Sequence, residues 1–258
     1  MLAWITRGLR TGRVTTRYPA RAEIPPEGFS GQVALLDAEG ASRELVDVCP
    51  FGAIAVEDGR VKLDRARCIS CGECVRVAPE RFAFAERYES AARARAALVV
   101  GGDGVSTEDT LIVPSLGEQE PALRRSLHVR HVDAGSDGSE EWEIQALWNP
   151  YYDIQRLGFF LTAPPRHADI LLVTGAVTAA MRAPLERTWQ VMPEPKALVA
   201  VGSEACSGAL TGDGELTAGG VGQVLPVDVY VPGSPPAPIA VMHGLLLAAG
   251  MLRGEGAS

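Results

Sequence analysis

Residues 49–74 read CPFGAIAVEDGRVKLDRARCISCGEC. Cys68, Cys71 and Cys74 recur at every third residue, and Cys49 stands upstream in a Cys-Pro dipeptide. A tight loop that turns a thiol inward every third residue can bind three corners of an iron–sulfur cube. The fourth ligand must then come from elsewhere in the fold, and the cysteine of a remote Cys-Pro can supply it. Between them, Val61, Lys62 and Leu63 predict a short hairpin strand that carries the loop back toward Cys49. The competing occupant is structural zinc, which prefers two separated cysteine pairs to a triplet plus one. The spacing leads to the expectation of one [4Fe–4S] cluster on Cys49, Cys68, Cys71 and Cys74.

Working outward, the 258-residue chain has room for one large domain or two modest ones, and its 47% apolar content supports a buried core. Its net charge of −8 and pI near 5.1 argue against a nucleic-acid partner, which would call for a basic face. The first residues lack a continuous apolar segment, so an exported, disulfide-bonded protein is not expected. The apolar stretch 239–252 contains His243 and Gly244 and is too short to span a bilayer. The expected location is therefore cytoplasmic, at the membrane periphery through partners. Residues 1–22 hold Arg7, Arg10, Arg13, Arg17 and Arg21 with no acid, interleaved with Leu2, Trp4, Ile5 and Leu9. Such an arm can lie on a membrane surface or dock on a partner.

The expected organisation is a basic arm (1–30), a cysteine-bearing module (31–88), a connecting helix and linker (89–122), and a larger C-terminal domain (123–258). A short strand is predicted at 32–36 and an Ala/Arg helix at 88–98. Further on, Ile170–Thr174, Ala197–Val201 and residues 227–231 read as buried strands, with helical patterns at 177–188 and 238–252. Uninterrupted apolar strands alternating with helices imply a parallel sheet covered on both faces.

The cysteine stretch resembles half of a two-cluster bacterial ferredoxin domain. The positions matching an upstream triplet are Glu39, Ser42 and Leu45, and the downstream Cys-Pro is replaced by Ala78-Pro79, so all ligands of the other cluster are missing together. DAGSDGSEEWEIQALWNPYYD (133–153), PRHADILLVTGAVT (165–178), MPEPKALVAVGS (192–203) and PVDVYVPGSPP (226–236) resemble a second family. It is the small iron–sulfur subunit shared by energy-converting [NiFe]-hydrogenases, formate hydrogenlyase and respiratory complex I. TGRVTTRYPA (11–20) is similar to ferredoxin-like subunits of the same complexes. Together the resemblances imply a ferredoxin-like α+β module followed by a parallel-sheet α/β domain of the hydrogenase/complex I small-subunit type. They imply an electron-transfer subunit of a membrane-associated complex. Its partners would be a large hydrogenase/complex I-type subunit, a further ferredoxin-like subunit and membrane subunits.

The family's cluster ligands fall at Asp137, Glu140, Glu204 and Ser234. Three carboxylates and a hydroxyl are not the donors of a soft iron–sulfide cube, so this site is expected to be empty. Glu141 and Glu143 add negative potential, and a hard cation such as Mg²⁺ or Ca²⁺ is the competing occupant. The favoured outcome is that the carboxylates pair with arginines or face water. Cys206 reads as a small buried hydrophobe. His131 and His167 read as structural, Gly101-Gly102-Asp103-Gly104 as a turn, and Trp148, Tyr151 and Tyr152 as packing at the large-subunit face. Two roles follow from the resemblance: electron transfer through one cluster, or a redox-inactive structural subunit of such a complex.

Overall fold

The computed structural model describes residues 3–40, 44–101 and 114–252. Ser42 and residues 102–104 therefore lie outside the described residues.

The N-terminal module begins with helix α1 (Ala3–Thr11), which buries none of its side chains. Strand β1 (Val33–Leu35) pairs antiparallel with β4 (Phe82–Phe84). Between them lie the short helix α2 (Glu44–Asp47), the hairpin β2 (Ile54–Glu57) and β3 (Arg60–Asp64), and helix α3 (Glu73–Val77). The hairpin turns through Asp58 and Gly59, both at positive φ (50° and 75°), as expected of an Asp-Gly turn with strand-matching twist. Val33, Ile54, Val61, Leu63 and Phe82 close a small core around these strands.

The Ala/Arg helix expected at 88–98 does not form. Ala92 instead makes an antiparallel bridge to Tyr230, exchanging backbone hydrogen bonds of 2.9 and 2.8 Å, and only Arg95–Leu98 winds as a 3₁₀ turn. Helix propensity is a weak preference, and two sheet-type bonds plus the burial of Leu98 override it here. Strand β5 (Val99–Gly101) then returns to pair with β3. The bridge at Ala92 also covers the outer edge of the main sheet, which would otherwise present unpaired backbone groups.

The C-terminal part opens with helix α4 (Leu116–Gln119), held by a capping box in which Ser115 and Glu118 satisfy each other's backbone. Strand β6 (Leu127–Asp133) leads through helix α5 (Ser139–Ala146) to the edge strand β7 (Phe159–Leu161). Then come β8 (Ile170–Thr174), α6 (Ala179–Val191), β9 (Ala197–Val201), α7 (Ser203–Ser207), β10 (Val229–Val231) and α8 (Pro238–Ala249). The five strands form one sheet in the order β10-β9-β8-β6-β7, with every pairing parallel. β8 and β9 are buried at every residue, which explains their unbroken apolar sequence.

One sheet face packs Ile144 and Leu147 with α8 residues Val241, Leu245 and Leu246. The other packs Leu185 of α6, Ala205 and Cys206, together with Ala66 and Leu98 of the N-terminal module. The arm beyond α1 is tied to the same body: the Thr16 N–H donates to the Tyr151 carbonyl at 2.8 Å, and Tyr18 is fully buried. Trp148 and Tyr152 pack against the first core, and Tyr151, itself exposed, meets Tyr152 edge-on.

Chain order across the sheet reverses at β6: β7 lies on one side of it and β8 on the other. Such a switch point opens a crevice beyond the carboxyl ends of the strands. The two loops that leave it approach so closely that a Cβ on Gly175 (φ 79°) would lie 2.4 Å from the Gly135 carbonyl carbon. Only glycine fits there.

Candidate functional site

Two loop clusters carry the residues of interest, one in each part of the chain. In the N-terminal module, Cys49 follows α2, Cys68 and Cys71 lie on the loop after β3, and Cys74 starts the turns of α3. All four line a single cavity walled by Val33, Ile54 and Leu63. The loop winds tightly because Ser70 and Gly72 adopt positive φ (57° and 77°). A Cβ on Gly72 would stand 2.8 Å from the Phe84 ring, so the loop seats directly on β4. The Ala53 N–H points at Cys49 Sγ (3.3 Å) and the Ser70 N–H at Cys68 Sγ (3.4 Å), an arrangement that favours thiolates.

Burial pushes the Cys68 thiol up, and it pushes Cys74 up to about 11, with the neighbouring cysteines adding to both. A crowded, mutually repelling thiol set of this kind needs a cationic core to become four thiolates. Among the described residues no group of three or more His, Cys, Asp or Glu side chains is arranged to hold a metal ion. Four thiols can serve a cube or tetrahedral zinc, and the triplet-plus-one spacing favours the cube. The donor set, the backbone N–H groups and the glycine-tight loop all fit a [4Fe–4S] cluster.

The second cluster sits at the carboxyl ends of the parallel strands. Asp137 and Glu140 follow β6, Glu204 lies in α7 after β9, and Ser234 lies in the turn after β10. The expected arginine pairing is not found: among the described residues none of the three carboxylates forms an ion pair with an arginine. Asp137 is held below the usual carboxylate range by hydrogen bonds from Ser139, whose N–H lies 2.9 Å from Oδ1. Asp137 is exposed and faces water, whereas Glu140 (2% exposed) and Glu204 (6%) do not. Its carboxylate presses on Gly202, where an added Cβ would fall 2.4 Å from Oε1. Burial, reinforced by Asp137 and Glu141, pushes Glu140 up to about 7. Glu204 is raised for the same first cause, burial, and then by Asp137. Burial thus disfavours the charged form of Glu140 and Glu204, and among the described residues no arginine or lysine forms an ion pair with either.

Glu141 belongs to a different network. It accepts from Ser136 Oγ (2.8 Å) and from Thr174, and lies 3.5 Å from His131 Nε2. Burial lowers His131, which sits 3.1 Å from Thr174 Oγ1, so this histidine ties β6 to β8. Cys206 is buried, pushed up to about 12 by burial, and directs its S–H at the Ala200 carbonyl (3.6 Å), which leaves it inert.

Glu140 supplies a pH test. In the folded chain it titrates near 7 against an ordinary value of 4.5. The folded state thus retains the proton that the unfolded chain gives up, and stability falls as pH rises from the lower value to the higher. Above about 7 the penalty is complete, on the order of 3 kcal/mol for a shift of this size. Glu140→Gln is therefore expected to stabilise the protein by about 2–3 kcal/mol at pH 8 and by nearly nothing at pH 4.5. Urea midpoints of both proteins at the two pH values measure this. An equal gain at both would mean that charge is not the cause.

The two loop clusters touch, which the sequence did not reveal. Ser203 Oγ donates to the Cys68 carbonyl (2.8 Å), and Ser207 Oγ donates to the Ala66 carbonyl (2.9 Å). The Gly233 N–H in turn donates to Ser203 Oγ (3.3 Å), and the Ser203 N–H to the Gly233 carbonyl (2.7 Å). The cysteine loop is thereby stapled to the strand-end turns that carry Glu204 and Ser234. Only the pattern of serines in SEACS (203–207) could have hinted at this contact.

A five-stranded parallel sheet with functional loops at its carboxyl ends, joined to a four-cysteine module, defines an α/β protein of the iron–sulfur small-subunit class. Residues 138–248 match the family described as NADH ubiquinone oxidoreductase, 20 Kd subunit, and residues 61–113 match a 4Fe-4S single cluster domain. Formate hydrogenlyase subunit 7 of Escherichia coli (strain K12) is 45% identical over 130 residues, 50% of this chain and 51% of that protein. This chain thus spans about half the length of that relative. The probable membrane-bound hydrogenase subunit mbhJ of Pyrococcus furiosus is 41% identical over 137 residues, 52% of this chain and 82% of that one. Among solved structures, one of the membrane-bound sulfane sulfur reductase, an archaeal respiratory membrane complex, matches with 32% identity and a TM-score of 0.45, over 50% of this chain and 72% of that one. The chain belongs to the 20 kDa subunit family of NADH ubiquinone oxidoreductase and the related hydrogenases. No helix among the described residues is long and apolar enough to cross a membrane.

Proposed function

We propose that the chain is an iron–sulfur electron-transfer subunit of a multi-subunit complex of the hydrogenase or NADH–quinone oxidoreductase type. On this reading one [4Fe–4S] cluster is held by Cys49, Cys68, Cys71 and Cys74. The observation that carries it is the convergence of these four thiols on one cavity with backbone N–H groups aimed at two of the sulfurs. A bound cluster supplies one-electron redox chemistry over a potential set by its surroundings. The chain's own contribution is to hold it rigidly and keep it dry: Val33, Ile54 and Leu63 wall the cavity, while exposed Cys71 marks the side open to a partner. The relatives are named as subunits of a formate hydrogenlyase and of a membrane-bound hydrogenase, which supports a place in a multi-subunit, membrane-associated complex.

The carboxylates and hydroxyl at the family's ligand positions favour a second reading, a structural subunit whose remaining cluster only stabilises the fold. Turnover distinguishes the two. In the complex purified with its large subunit, the cluster's visible absorbance should bleach when the complex's electron donor is added and return with the acceptor. A cluster that dithionite reduces but turnover leaves oxidised would favour the structural role.

A further inference from the structure

A cavity of about 200 Å³ opens between the cysteine loop, the segments around residues 29–32 and 87–90, and the turn after β10. Arg65 and Arg87 both line it, and no carboxylate does. Six other arginines are matched to acids: Arg60 with Glu39, Arg76 with Glu73, Arg81 with Asp37, Arg93 with Glu118, Arg95 with Asp64, Arg182 with Glu186. Arg65 and Arg87 form no ion pair among the described residues. Two donors at this cavity, Arg65 Nε and Gln32 Nε2, are buried and without a hydrogen-bond partner. Ser70 and Ser234 are among the hydroxyl-bearing residues that line it.

Buried donors are almost always satisfied, and two adjacent guanidinium groups repel each other. Burial and the nearby Arg87 both press against the charge of Arg65. An acceptor-only ligand with several oxygens relieves all of these costs at once, since guanidinium forks match oxyanions two bonds at a time. We propose that this cleft is a binding site for a small inorganic oxyanion of the phosphate or sulfate type. Its size admits such an ion. Ser234, at the position where the family resemblance implies a thiolate, is here a hydroxyl lining the anion site. The site adjoins the cysteine loop, because Cys68 and Ser70 line the same cavity. Reduction of a cluster on that loop would place added negative charge beside the bound anion and weaken its binding. This last consequence rests on the cluster assignment, whereas anion binding itself does not.

The test titrates the full chain with inorganic phosphate, and separately with sulfate, by calorimetry at low ionic strength, with chloride as the control. One saturable site is expected. Arg65→Gln and Arg87→Gln should each weaken it about tenfold or more, the loss typical of a charged hydrogen bond. Arg182→Gln, on exposed α6, should leave it unchanged. Arg87 is exposed, so its variant keeps the test decisive if Arg65→Gln fails to fold. In the cluster-loaded protein, tenfold weaker binding to the reduced form would lower the midpoint potential by about 59 mV at saturating phosphate. Absence of saturable binding, or binding that survives the double arginine variant, would overturn the proposal. Binding without any potential shift would retain the anion site and count against the cluster's place on this loop.

Discussion

Cys68→Ala is expected to reduce the iron content of the anaerobically reconstituted chain from about four atoms to essentially none. A cube that loses one corner exposes an iron to water and oxidant, and the remaining three thiols do not form a closed site. Cys49→Ala, Cys71→Ala and Cys74→Ala should act alike, because each thiol lines the same cavity. Cys206→Ala should leave the iron count and the broad visible absorbance untouched: its thiol lies in the core of the main sheet, bonded to the Ala200 carbonyl. Cys68 carries an extra consequence. Its carbonyl accepts from Ser203, so disorder of an empty cysteine loop should loosen the contact between the two parts of the chain. Faster proteolysis around residues 66–72 in Cys68→Ala than in the loaded parent would report it. If Cys206→Ala were the variant that lost iron, the ligand assignment would fail.

Strands β8 and β9 were legible in the sequence to the residue, because a central parallel strand buries both faces and must be apolar throughout. The hairpin strand at Val61–Leu63 and the helix closing the sheet were legible for equally local reasons, each a short apolar pattern. The region at 88–98 misled because its Ala/Arg composition reports an intrinsic preference, while its conformation is decided by the edge of β10, about 140 residues away. β7 is three residues long and carries no periodicity to read. At the candidate sites, residue type announced the thiols and the carboxylates. What it could not announce is environment: that Glu140 has no counter-charge, that Ser203 holds the cysteine loop, or that Arg65 and Arg87 meet without an acid. These depend on which loops the fold brings together.

The sharpest expectation for the second site comes from restoring it. If Asp137, Glu140, Glu204 and Ser234 occupy positions shaped for a cube, replacing all four by cysteine in the full chain supplies the missing soft donors. The strand-end loops after β6, β9 and β10 already stand at one end of the sheet, and glycines hold their approaches tight at Gly135, Gly175 and Gly202. The substitution also removes the carboxylates of Glu140 and Glu204, whose charged forms burial disfavours. The quadruple variant is therefore expected to bind about eight irons in place of about four, with a second reduced-cluster EPR signal. Its two clusters should interact magnetically, since Ser203 and Gly233 link the cysteine loop to the turn bearing residue 234. A parent chain that already holds about eight irons would show oxygen ligands supporting a cube and defeat the empty-site reading. A restored chain that stays at about four would show that the loops have moved beyond what four thiols can recover. Stoichiometric Mg²⁺ or Ca²⁺ in the parent, lost in the quadruple variant, would instead identify the carboxylates as a hard-cation site.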